Sequence, residues 1–181
     1  EIQFILVVEK ESVFNRIVEE VHLRKTNSTL PTEPFVMVSG NGMPSLATRE
    51  LVRLLHARLN VPVFGMFDCN PDGIGIALSY VYTSDTSIKS LGWVATRLDY
   101  TIRSINWLGI KFDDVLKEAK HRNDSSIDDI ASGIHTQRDD SRFTNLLKHP
   151  LIKNNCEMIS ELKKMKGGNV KFEIDQLSYK S

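Results

Sequence analysis

The chain has 181 residues, 41% hydrophobic and 25% charged, which suits one domain with a buried core and excludes a disordered or low-complexity chain. Lysine and arginine together number 23, as do aspartate and glutamate, and this zero net charge excludes a global positive field that would attract nucleic acid. No apolar run reaches the roughly 18 residues of a membrane span, so we expect neither a membrane segment nor a membrane partner.

Strand and helix patterns alternate in the first half of the chain. Residues 2–8 form an apolar run that predicts a strand buried on both faces, and 13–21 carry the stripe of an amphipathic helix with Ser12 as its N-cap. A polar loop is expected at 24–33.

The same alternation then repeats twice. Residues 35–38 predict a second strand and 46–59 a second helix, with Pro44 suited to its start. Residues 61–67 predict a third strand, and a turn at 70–73 precedes a third helix that opens at 74–78.

This order predicts an α/β fold in which a parallel sheet carries helices on both faces. Residues 105–108 are a candidate fourth strand, which gives a sheet of about four strands. The polar residues 111–145 predict short helices and loops. A late helix at 158–165 should end at Gly167 and Gly168, and apolar and charged residues then alternate over 170–175. We therefore expect a mostly helical extension after the sheet.

Polar features follow each of the three predicted strands. Glu9 follows the first strand, the turn Gly40-Asn41-Gly42 the second, and Asp68 the third. The carboxyl ends of parallel strands share one sheet edge, where ligands of open α/β sheets bind, so Glu9 and Asp68 are expected to converge. Carboxylate and amide oxygens suit Mg²⁺, and repulsion between unpaired acids favours a bound cation.

The residues alone leave simpler interpretations open. Glu9 could cap the following helix, and residues 68–73 could be only a polar turn. Likewise, the Gly40 turn could be an ordinary strand-to-helix connection or a place where the backbone approaches a phosphate.

Five short motifs resemble consecutive signatures of one family. That family is the Toprim domain, a Rossmann-like module, found in the A subunit of topoisomerase VI and in its eukaryotic relative, the meiotic double-strand-break transesterase. The motifs occur in the family's order at 7–14 (VVEKESVF), 39–44 (SGNGMP) with Thr48-Arg49, 68–73 (DCNPDG), 107–109 (WLG) and 171–174 (KFEI).

The resemblance implies a metal site within a DNA-cleaving enzyme. By matching position, Glu9 and Asp68 would bind Mg²⁺, and Asn70 would occupy the place usually held by a second aspartate. An amide still offers one oxygen but lowers the negative charge of the site, and Asp72 could compensate. The positions matched to DNA contacts are Lys10, Gly40, Gly42 and Arg49.

The resemblance also implies that the nucleophilic tyrosine lies elsewhere. In the family it belongs to a winged-helix domain that precedes the Toprim domain, so residues 1–181 are expected to be a Toprim domain with its extension, inactive as a fragment. The start without methionine likewise suggests an excised fragment. Tyr100, between Arg97 and Arg103, is the only tempting local nucleophile, and ordinary packing explains it better.

The expected function is the Mg²⁺-binding module of a homodimeric nuclear enzyme that makes meiotic double-strand breaks in double-stranded DNA, and whose partners include a topoisomerase VI B-like subunit. Two alternatives remain open: the A subunit of topoisomerase VI itself, and a non-catalytic DNA-binding or dimerisation module with a decayed metal site. Lys163, Lys164 and Lys166 could track DNA but fit a solvated helix face better. Cys69 and Cys156 lack the paired spacing of a zinc ribbon and are expected to be free thiols.

Overall fold

The structure, a computed structural model, describes residues 1–27, 34–83, 100–121 and 131–175. The strands in these ranges are β1 (Phe4–Val8), β2 (Phe35–Ser39), β3 (Val63–Met66), β4 (Asn106–Gly109), β5 (Gly133–Ile134) and β6 (Val170–Lys171). The helices are α1 (Glu11–Asn27), α2 (Leu46–Leu59), α3 (Pro71–Val81), α4 (Phe112–His121), α5 (Gln137–Lys148), α6 (Pro150–Lys153) and α7 (Cys156–Gly168). None of these helices is long and apolar enough to cross a membrane.

The main sheet confirms the predicted α/β fold. Its four strands lie in the order β2-β1-β3-β4, and β1 pairs in parallel with both β2 and β3. The register aligns Val8 with Ser39 and with Met66, so these three strands end together at one edge. The residues that follow each strand therefore start from a common edge of the sheet, as the strand pattern predicted.

The chain divides into two compact units. The first combines Glu1–Phe67 with Ile76–Leu108, and the second combines Asp68–Gly75 with Gly109–Ser181. The first unit has a core cluster around β1 that includes Ile5, Val7 and Tyr80. In the second, the rings of Phe112 and Phe172 meet edge to face with centroids 6.1 Å apart.

The structure moves two of the three predicted helix starts and confirms that of α2 at Leu46. The helix α1 begins at Glu11, so Ser12 lies in its first turn and is not its N-cap. The N-cap of α2 is Ser45, whose side chain accepts a hydrogen bond from the Thr48 N–H, and Pro44 precedes it. The predicted turn at 70–73 is the start of α3. Pro71 is the first residue of this helix, a position that proline suits.

Short helices and loops were predicted for residues 111–145, of which 122–130 lie outside the described ranges, and the described parts contain two helices. The helices α4 and α5 contain 10 and 12 residues, and α4 buries Phe112, Val115 and Ala119 at helical spacing within a polar sequence. The helix α7 runs through Gly168 and ends at Asn169, which has a left-handed φ of 55°. The helix α1 continues to Asn27 into the predicted loop, whose residues 28–33 lie outside the described ranges.

Candidate functional site

Glu9 is held by its backbone at the edge where β1, β2 and β3 end. Its N–H donates to Met66 O at 3.0 Å, and its carbonyl accepts from the Gly42 N–H at 2.8 Å. The residue is only 6% exposed. A buried carboxylate at the edge where parallel strands end, which is where open α/β sheets bind ligands, makes Glu9 a candidate ligand position.

The turn after β2 lies at the same edge and is anchored to β1. The Gly40 N–H donates to Val8 O at 3.1 Å, and the next two residues, Asn41 and Gly42, have left-handed φ values of 48° and 83°. A Cβ placed on Gly40 would lie 2.8 Å from the Tyr80 Oη. A side chain at position 40 would therefore crowd the Tyr80 hydroxyl.

Arg49 and Tyr80 lie inside the first unit and are only partly satisfied. The Arg49 Nη1 donates to Ser79 O at 3.3 Å. Among the described residues, the buried Arg49 Nε and Tyr80 Oη have no hydrogen-bond partner. Burial lowers the pKa of the Arg49 guanidinium and raises the pKa of the Tyr80 phenol. The contact of Arg49 with DNA phosphate stays a prediction.

The acidic loop, which we define as residues 68–72, follows β3 and belongs to the second unit. Its backbone and side chains are hydrogen-bonded to residues 172–174 near the end of the described chain. Cys69 and Phe172 pair antiparallel, with the Cys69 N–H donating to Phe172 O at 3.0 Å and the Phe172 N–H to Cys69 O at 3.3 Å. The Ile174 N–H donates to Asp68 Oδ1 at 2.8 Å. Asp68 is 4% exposed, so its carboxylate is both buried and oriented.

Asn70 and Asp72 already make contacts that shape the start of α3. Asn70 Oδ1 accepts from the Gly73 N–H at 2.8 Å, which is the bond of an N-cap residue. Asp72 forms an ion pair with Arg142 of α5, with 2.8 Å between Oδ1 and Nη1. A Cβ on Gly75 would lie 3.1 Å from Arg142 Nη2, so the guanidinium extends along the first turns of α3.

The candidate ligands are therefore distributed over both units. Glu9 belongs to the first unit, whereas Asp68, Asn70 and Asp72 belong to the second. Buried carboxylate oxygens and an amide oxygen are a suitable donor set for a hard cation such as Mg²⁺. Within the described ranges, no three His, Cys, Asp or Glu side chains form a group that could hold a metal ion. A shared ion at Glu9 and Asp68 stays a prediction.

Other sequence candidates have ordinary structural surroundings. Lys164 contacts Asp113 and Glu161, whereas Lys163 and Lys166 are exposed on α7. Tyr100 is half-buried. Lys10 precedes α1, and its carbonyl accepts from the Phe14 N–H.

Cys69 and Cys156 are both free thiols, as expected, and they differ in accessibility. Cys69 is buried and Cys156 is exposed. Burial, followed by the charges of Glu161, Asp114 and Asp68, raises the pKa of the Cys69 thiol.

Sequence reasoning missed the residues that fix the acidic loop, namely Arg142 and Ile174. The alternation over 170–175 indicated a strand, but nothing in the pattern named Asp68 as its neighbour. Arg142 lies in a polar stretch, and the sequence there does not distinguish an arginine that faces solvent from one that pairs with a residue of α3.

Comparison with known proteins gives one consistent result. The family model for the Toprim domain of Spo11 and of the topoisomerase 6 A subunit matches residues 4–181. "Meiotic recombination protein SPO11" of Homo sapiens is 32% identical over 179 residues, which are 99% of this chain and 40% of that protein. The protein of the same name from Mus musculus is 32% identical over 97% of the chain and 40% of its own length. The chain thus spans about two fifths of these relatives.

Proposed function

The chain belongs to the family of Spo11 and topoisomerase 6 Toprim domains, and on that basis we propose that it is the metal-binding module of a meiotic DNA-cleaving transesterase. The whole enzyme makes the double-strand breaks that initiate recombination. The observation that carries the proposal is a pair of buried carboxylates, Glu9 and Asp68, which lie one and two residues after the ends of two neighbouring parallel strands.

Glu9 and Asp68 hold Mg²⁺ in this proposal, and Asn70 and Asp72 tune the site. The ion, when bound, neutralises charge on the phosphodiester that is being cleaved. The residues of this chain orient the two carboxylates that would hold the ion. The backbone bonds of Glu9 fix its place at the sheet edge, and the Ile174 N–H fixes one oxygen of Asp68.

Double-stranded DNA is the proposed substrate, with Lys10, Gly40, Gly42 and Arg49 on the DNA-facing side. The attacking tyrosine belongs to a winged-helix domain outside these residues, so the chain alone does not cleave. A homodimer, a nuclear location and a topoisomerase VI B-like subunit complete the proposal. The relatives named as meiotic recombination proteins favour this function over that of topoisomerase VI itself.

A non-catalytic module is the second candidate, and one contact favours it. Asn70 replaces an anionic ligand, and its oxygen already accepts the Gly73 N–H. A site weakened in this way could have lost its metal while keeping a DNA-binding or dimerisation role.

Calorimetric titration with MgCl₂ separates the two candidates. The catalytic proposal expects binding by the parent chain and its loss in Glu9→Gln and in Asp68→Asn. Glu50→Gln and Asp140→Asn make the same chemical changes at exposed positions and are the matched controls. Equal heats in the parent chain and both site variants would contradict a metal site at these residues and leave the non-catalytic module.

A further inference from the structure

We infer that residues 170–175, which we name the β6 strap, position the Asp68 carboxylate, and that the ion pair between Asp139 and Lys171 holds the strap in place. This inference rests on the proposed function, because it concerns how the proposed metal ligand Asp68 is oriented. Asp139 and Lys171 are positioning residues, since neither contacts the metal or DNA in this proposal.

The strap reaches the acidic loop through its backbone. Phe172 pairs with Cys69 in both directions, and two residues later the Ile174 N–H donates to Asp68 Oδ1. Phe172 and Ile174 are 1% and 6% exposed, so their side chains anchor the same segment in the core of the second unit. A carboxylate pinned through one oxygen has a fixed rotation, and the direction of its second oxygen is fixed with it.

The other end of the strap is held by the N-terminus of α5. Lys171 Nζ lies 2.6 Å from Asp139 Oδ2, and the Asp139 side chain is only 3% exposed. Thr136 donates to the same oxygen from its N–H and its hydroxyl, each at 2.7 Å. Lys171 O accepts from the Ser132 N–H at 2.8 Å. Asp139 Oδ2 thus joins Lys171 of the strap to Thr136 at the start of α5, and the backbone of Lys171 is held separately by Ser132.

Removing Lys171 would leave a buried carboxylate without its cation, which is strongly unfavourable when the partner stays buried. Opening this hydrogen-bond network to water relieves that charge, and opening moves the strap that carries Ile174. Pinned geometry matters at a metal ligand, because loss of the hydrogen-bond partners that orient a ligand lowers metal affinity by about 10- to 100-fold. The ion pair is therefore predicted to control metal affinity from outside the site.

The test uses two measurements on the full chain. The first is the rate at which a thiol reagent labels Cys69 in a Cys156→Ser background, since Cys69 is buried under the strap pairing and a buried thiol reacts slowly. The second is Mg²⁺ affinity by calorimetry. The variants are Lys171→Met, the conservative Lys171→Arg, and the exposed control Lys163→Met.

Lys171→Met should label Cys69 faster and bind Mg²⁺ about tenfold more weakly. Lys171→Arg and Lys163→Met should match the parent in both. Unchanged labelling in Lys171→Met would overturn the holding role of the ion pair. Faster labelling with unchanged Mg²⁺ affinity would overturn the positioning of Asp68.

Failure of the proposed function gives a different pattern. In that case the parent chain and Asp68→Asn bind Mg²⁺ equally, or neither binds it. Either result rules out the metal site and, with it, the positioning of Asp68 for a metal. The labelling rates still decide whether the ion pair holds the strap. Circular dichroism at the assay temperature confirms that each variant is folded, so that a lower Mg²⁺ affinity cannot result from unfolding of the variant.

Discussion

The Ile174 N–H and Asp68 Oδ1 are 2.8 Å apart in space and 106 positions apart in sequence. The bond joins the end of the described chain to the loop that leaves the third strand of the parallel sheet. Both residues belong to the second unit, which combines Asp68–Gly75 from the middle of the chain with Gly109–Ser181. An acidic loop held in this way has a defined shape before any cation binds.

Glu9 and Asp68 are predicted to share one Mg²⁺, directly or through water. A crystal structure of the metal-bound chain is the measurement, and carboxylates more than about 10 Å apart would contradict shared coordination. In the full-length protein, Glu9→Ala or Asp68→Ala should abolish DNA cleavage while the circular dichroism spectrum stays unchanged.

Asn70→Asp should tighten Mg²⁺ binding and keep the cap of α3. Aspartate caps a helix as well as asparagine does, and its charge is favourable at a helix N-terminus, so the bond to the Gly73 N–H is kept. The added negative charge attracts the cation. Asn70→Ala is the contrasting variant and should cost about 1 kcal/mol of stability. Equal Mg²⁺ affinity in the parent and Asn70→Asp would place residue 70 outside the coordination of the ion.

Arg142→Gln should also tighten Mg²⁺ binding, because the guanidinium neutralises Asp72 and repels a cation near the acidic loop. The ion pair is partly exposed, so its loss should change stability by no more than about 1 kcal/mol. Arg138→Gln, at an exposed position of the same helix, is the control. If Asp72 provides the gain, adding Asp72→Asn should cancel it.

Gly40→Ala should be destabilising, and Tyr80→Phe should relieve much of the damage. The new methyl would lie 2.8 Å from the Tyr80 Oη and 3.1 Å from Gly42 O, and crowding of this kind costs about 1–3 kcal/mol. Tyr80→Phe alone should be neutral or stabilising, since the described residues offer the buried hydroxyl no partner.

Urea unfolding of the four chains in this cycle measures the coupling between the two positions. If the two losses simply add, the hydroxyl is not what excludes a side chain at residue 40. Strong destabilisation by Tyr80→Phe alone would show that the hydroxyl has a hydrogen-bond partner in the folded chain.

The sequence predicted what is local or periodic. The apolar runs identified β1, β2 and β3, and parallel pairing then placed Glu9 and the Gly40 turn at one edge. The start of α3 was harder, because Asn70 and Gly73 suit a turn and a helix cap equally well, and the choice depends on the helix that follows. Contacts such as Asp68 with Ile174 or Asp72 with Arg142 depend on how distant segments meet, and no pattern within either segment encodes the partner.

Asp139 should make the stability of the chain depend on pH in acid. Burial alone would raise its pKa, but the hydrogen bonds from Lys171 and Thr136 outweigh that effect and lower it from 3.8 to about 2. Because the folded pKa is the lower one, the stabilisation is fully present above the unfolded pKa and is lost as the pH falls toward 2. A shift of this size corresponds to about 2 kcal/mol.

Urea unfolding at pH values between 2 and 7 measures this dependence, with Asp139→Asn as the variant. The amide cannot titrate, so the variant should be less stable at neutral pH, and the difference from the parent should shrink as the solution is acidified below about pH 4. Asp140→Asn, one position along and exposed, should keep the profile of the parent. A constant difference between the parent and Asp139→Asn across this range would mean that the Asp139 carboxylate is not the group whose charge stabilises the fold.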